Sequence, residues 1–99
     1  MRFEWDPVKA HGNLAKHGVS FDVAIQTFAD PFALTDQDRI EGGEIRWRTL
    51  GMVDGHLLLV VAHTLWDYED ENGSAEGVRI ISARRADRTE RRRYEHEHR

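Results

Sequence analysis

Two strand-like runs, Ile45–Val53 and His56–Trp66, meet at Asp54-Gly55, and this pairing restricts the chain more than any other feature. A two-residue turn of this type favours a β-hairpin, because its backbone twist matches that of the flanking strands. A two-residue loop sets Arg46 opposite His63, Trp47 opposite Ala62 and Arg48 opposite Val61. Side chains alternate across a sheet. The expected faces are therefore Arg46, Arg48, Leu59, Val61 and His63 on one side, and Ile45, Trp47, Leu58, Val60 and Ala62 on the other.

The remaining elements follow from local signals. Phe3 and Trp5 have strand spacing in a short first strand. Asp6-Pro7 then opens a helix, since Asp caps and Pro suits the first helical position. It runs to about His17, where Gly18 stops it. Ser20 opens a second helix whose buried face is Val19, Val23, Ala24, Thr27 and Phe28. Asp30-Pro31 ends it. Residues 32–36 suggest a short edge strand, and 37–43, with Gly42-Gly43, a loop. Residues 67–77 read as an acidic loop. Val78–Arg85 is a last strand with a doubly buried middle, and Asp87 caps a final charged helix. The expected class is α+β: an antiparallel sheet of about four strands, N-terminal helices and a C-terminal helix.

With 99 residues the chain is expected to form a single domain. It has no cysteine, which excludes disulfides and cysteine-held zinc and fits a reducing, cytoplasmic setting. No apolar run approaches the ~20 residues of a membrane span, and the start lacks the apolar stretch of a signal peptide. The net charge of −4 conceals a segregation. Asp67, Glu69, Asp70, Glu71 and Glu76 crowd one segment without Lys or Arg. Arg79, Arg84, Arg85, Arg88, Arg91, Arg92 and Arg93 face only Asp87 and Glu90 in the next. A basic final third can hold phosphates despite an acidic total.

FEWDPVKA at 3–10, NLAKHGVSF at 13–21, Glu44-x-Arg46 and RIISARRADRTERRRYE at 79–95 together resemble the BrnT toxins of bacterial type II toxin–antitoxin pairs. The resemblance runs nearly end to end. It implies a RelE-like fold, endoribonuclease activity, a BrnA-like antitoxin that blocks it, and promoter DNA bound only through the complex. The acidic stretch between the last two strands is longer than usual for the family, and the final residues from His96 lie beyond the matching region.

Metal-free RNA cleavage needs a proton acceptor for the 2′-hydroxyl, a donor for the leaving oxygen and cations for the crowded phosphorane. Lys16 and His17 close the first helix, either as a phosphate-binding lysine beside a general acid or base or as cations favouring a helix C-terminus. Arg46 and His63 suit an incoming phosphate, although Glu44 is an alternative partner for Arg46. Arg79 and Arg84 bracket the last strand; five apart, they share a face only if a bulge intervenes. Lys16, His17, Arg46, Arg79 and Arg84 are the catalytic candidates, and Arg48, His63, Arg92 and Tyr94 the RNA-binding ones. Arg91-Arg92-Arg93 also reads as a solvated charge run. Trp66 is open enough to stack on a base, whereas Trp47 reads as core. His96-Glu97-His98 offers no third ligand at defined spacing, so no metal and no cofactor are expected. A non-enzymatic binding module is the competing reading.

Overall fold

The computed structural model describes residues 1–97; His98 and Arg99 of the histidine-rich end lie outside them. The elements are β1 (Arg2–Glu4), α1 (Pro7–His17), α2 (Phe21–Ala24) with a 3₁₀ turn (Ile25–Ala29), β2 (Leu34–Glu41), β3 (Glu44–Val53), β4 (Leu57–Asp70), β5 (Gly73–Arg85) and α3 (Arg88–Glu97). The strands form one five-stranded sheet in the order β1-β5-β4-β3-β2. Five strands replace the expected four, and β1 is parallel to β5, with Phe3 beside Val78. Pairing this short strand places Phe3 against the core that holds the fully buried Val78.

The helical signals act as expected. The Asp6 carboxylate accepts from the Val8 amide, Pro7 occupies the first turn, and Gly18 ends α1 in the left-handed region at φ 69°. The Ser20 hydroxyl accepts from the Val23 amide at 3.1 Å. At α3 the Asp87 and Glu90 carboxylates each accept the other's backbone amide at 2.8 Å, a reciprocal capping box.

The hairpin register differs by one residue. Asp54 and Gly55 have the expected positive φ, 53° and 73°. His56 nevertheless stays outside the ladder, which resumes at Val53 opposite Leu57. Trp47 therefore faces His63, and Arg48 faces Ala62. One extra residue in a turn moves a whole strand's side chains to the other face, so His63 is parted from Arg46. Both segments read as loops are strands. β2 continues to Glu41, and β4 and β5 extend through the acidic segment to a turn between Asp70 and Gly73.

Each face of the sheet has its own apolar cluster. On one, Val53, Leu59, Val61, Val78, Ile80 and Ala83 pack with Val19, Phe21 and Ala24 from the α1–α2 layer. On the other, Leu50, Leu58 and Val60 pack with Tyr94 of α3. Full burial of such side chains contributes roughly 1.5–3 kcal/mol each. Asn13 ties α1 to β5: its amide donates to the Val19 and Ala83 carbonyls at 2.9 and 2.8 Å and accepts from the Ala83 amide at 3.0 Å. No helix is long and apolar enough to cross a membrane among the described residues.

Candidate nucleic-acid interface

A bulge in β5 decides which arginines meet. Ala62 pairs with Ser82 while His63 pairs with Ile80, leaving Ile81 as the extra residue. Arg79 pairs with Thr64 and Arg84 with Val60. Thr64, Ala62 and Val60 alternate onto one side of β4, so Arg79, Ser82 and Arg84 stand on the same face as Arg46 and Arg48. This is the face that carries α3. The helix covers only the end near Leu50, Leu58 and Val60.

Beyond α3 the face opens into a groove of about 260 Å³, lined by Asp38, Arg39, Arg46, Arg48, Val60, Ala62, Ile81, Ser82 and Arg84. A second irregularity, between Gln37 and Ile40 in β2, accompanies the two charged side chains Asp38 and Arg39 at its edge. The guanidiniums are held by carboxylates. Arg46 meets Glu41 at 3.0 Å, where the sequence offered Glu44 as an alternative partner, and Arg48 meets Asp38 at 3.8 Å. Arg84 donates from both terminal nitrogens to Glu90, at 2.8 and 2.9 Å. Glu90's hydrogen bond raises the pKa of Arg84, and the same bond lowers that of Glu90. Next to the groove, Arg93 makes a two-point contact with Asp36, whose carboxyl that bond holds below the usual range.

The other candidates are distributed as follows. Arg79 is half-exposed and bonds Glu4 at 3.0 Å. Lys16 is exposed and His17 half-buried at the end of α1, in the layer on the opposite face of the sheet. Arg92 is exposed on α3 beside Arg93, Glu95 and His96. Tyr94 is buried, and its hydroxyl donates to Asp30 at 2.6 Å. Burial, then the neighbouring Asp30 carboxylate, push its pKa up to about 12.

His63 is 1% exposed, within the core rather than beside Arg46. Its Nε2 is 2.8 Å from the Thr49 hydroxyl, itself 2.9 Å from that of Thr35. Among the described residues, its buried Nδ1 has no partner at hydrogen-bond distance. Burial lowers its pKa to about 4. Sequence reasoning missed Asp38 and Ser82, which line the groove, and Glu90, which holds Arg84 at its edge. Ser82 and Asp38 depend on strand irregularities, for which the sequence carries no local mark. Glu90 was legible as the capping partner of Asp87, three residues on.

Such a face, basic within an acidic chain and framed by a mixed sheet and a terminal helix, defines a small α+β protein with an arginine-lined groove. The chain belongs to the BrnT family, described as the ribonuclease toxin of a type II toxin–antitoxin system, whose model matches residues 5–90. Among solved structures it is similar to the Brucella abortus ribonuclease toxin, BrnT, at 25% sequence identity and a TM-score of 0.65, covering 89% of this chain and 99% of that one. A search among curated proteins gives no match.

Proposed function

We propose that this toxin is a metal-independent endoribonuclease that cuts RNA in the Arg46–Arg48–Arg84 groove. The observation that carries the reading is the convergence of these three guanidiniums with Ser82 and Asp38 on one open concavity. Arginine pairs with phosphate through a fork of parallel hydrogen bonds and keeps its charge at any physiological pH. The RNA supplies its own nucleophile. The 2′-oxygen attacks the adjacent phosphorus, its proton passes to a groove carboxylate such as Asp38, and the P–O5′ bond breaks as that acid, through water, returns the proton to the leaving 5′-oxygen. The products are a 2′,3′-cyclic phosphate and a free 5′-hydroxyl. Arg46, Arg48 and Arg84 stabilise the doubly charged phosphorane. Arg79 extends the cationic track. Lys16 and Arg92 act on the RNA backbone outside the groove as peripheral cations, with His17 beside Lys16 at the end of α1.

A BrnA-like antitoxin neutralises the toxin by covering the groove, and promoter DNA is bound through that complex alone. RNA and antitoxin then exclude each other. A ternary complex at saturating concentrations would contradict this.

The test is cleavage of RNA by the purified protein in EDTA, with analysis of the termini. The expected result is cyclic phosphate from the wild type and loss of cleavage, with folding intact, in Arg46→Ala, Arg48→Ala and Arg84→Ala. Activity abolished by chelator and restored by a divalent ion overturns the metal independence. Undiminished cleavage by all three variants overturns the groove.

One observation favours a second reading, a non-enzymatic binding module: each groove guanidinium already has a carboxylate partner. Expression without the antitoxin separates the two. Growth arrest that Arg84→Ala abolishes supports the enzyme, and harmless wild-type expression supports the module.

A further inference from the structure

The acidic β4–β5 extension has two chemically distinct sides. Asp67 pairs with Glu76, and Glu69 with Ser74. Counting from Leu65, which packs on the helical layer, these carboxylates alternate onto that side. Trp66 pairs with Gly77 and Tyr68 with Ala75, on the side of the arginines. Glycine opposite Trp66 is required by contact: a Cβ on Gly77 would lie 2.2 Å from the indole. The indole thus lies over bare backbone, and Trp66 keeps part of its surface exposed. Tyr68 follows with ring centroids 6.2 Å apart, and the Arg2 guanidinium stands 4.3 Å over the Tyr68 ring.

We infer that Trp66, Tyr68 and Arg2 form a nucleobase-stacking strip for the RNA strand whose phosphates occupy the arginine groove; this rests on the RNA-groove reading above. Three observations lead to RNA. The strip and the groove share one sheet face, linked by Arg79. Trp66 lies four residues from Ala62 of the groove along β4, roughly 13 Å of strand, a distance a few nucleotides cover. Asp67, Glu69 and Glu76, which would repel a polyanion, are turned to the other face, whereas Asp70, paired with Gly73 at the far tip of the hairpin, stands on the strip's side beyond Tyr68. Flat rings beside a cationic track bind single strands with little regard to sequence.

The test uses a short 2′-O-methylated RNA, which lacks the attacking hydroxyl, carrying one 2-aminopurine. Binding is measured by fluorescence over a range of salt. Tyr68→Leu and Trp66→Leu are each expected to weaken binding about tenfold. They should abolish the quenching of 2-aminopurine seen with wild type and leave the salt dependence unchanged. Arg48→Ala should instead lower the salt slope by about 0.7 and keep the quenching. Wild-type affinity and quenching in both ring variants, with Arg48→Ala weakened, overturn the strip and spare the groove. Binding unaltered by Arg48→Ala and Arg84→Ala removes the groove and the strip with it. Ring variants that escape antitoxin inhibition while binding RNA normally make the strip a protein contact, which also overturns it. Tyr68→Leu, on the protruding hairpin, keeps the test decisive if Trp66→Leu does not fold.

Discussion

Arg84 is held by Glu90 through two parallel hydrogen bonds, so an acidic side chain of α3 occupies the fork a phosphate would take. Glu90 also accepts from the Asp87 amide. Glu90→Gln keeps an acceptor for that cap while removing the charge. RNA affinity should rise roughly two- to fivefold, since a part-exposed ion pair is worth at most about 1 kcal/mol. Titration of RNA against both proteins checks this. Equal or weaker binding by the variant would show that Glu90 orients Arg84 instead of competing for it.

His63 makes stability depend on pH. Its pKa is lowered to about 4 in the folded protein, against ~6.5 in the unfolded chain. Between those values the unfolded state takes up a proton that the native state refuses. Stability therefore falls as pH drops through that window and is flat with respect to this group above it. The loss between pH 7 and pH 5 should be about 2 kcal/mol. Urea unfolding of the wild type and His63→Leu at both pH values measures it, and an equal pH response in both would rule the residue out.

Asn13 satisfies three backbone groups where α1 meets β5. Asn13→Ala leaves them buried and unpaired and should cost about 3 kcal/mol. Asn13→Asp removes both donors and should be no milder. Chemical denaturation reads the loss directly.

Tyr94 matched the profile of an RNA contact in sequence, yet its ring packs with Leu50, Leu58 and Val60. Its hydroxyl meets Asp30, which also accepts from the Met52 amide at 2.7 Å. Tyr94→Phe should lower stability by about 1 kcal/mol and leave RNA cleavage per folded molecule unchanged. A specific loss of cleavage without a loss of stability would restore its chemical role.

Caps and turn residues were the most legible parts of the sequence, because each acts within a few residues. Asp6, Pro7, Gly18, Ser20 and Asp87 lie where their local chemistry requires. The last strand and the second helix were also legible from apolar spacing. Register was not, because it depends on how many residues a turn removes from the ladder. His56 alone reversed the faces of β4, carrying His63 into the core and Val60 and Ala62 to the arginines. The bulge at Ile81 is likewise set by packing across strands, and it is what brings Arg79 and Arg84 to one face. Acidic composition concealed the β4–β5 extension, whose alternation of Trp66, Asp67, Tyr68 and Glu69 is a strand pattern. Arg46, Arg48 and Arg84 were thus identified by type before their meeting place could be.

The parallel pairing of Phe3 with Val78 has a bearing on how such a protein is made. β1 leaves the ribosome well before β5, the strand it pairs with, because β2, β3 and β4 lie between them in the chain. Closing so long a loop carries an entropic cost that only the finished sheet offsets. The complete sheet is therefore reached only after β5 has been made, and β1 waits unpaired while β2, β3 and β4 are translated.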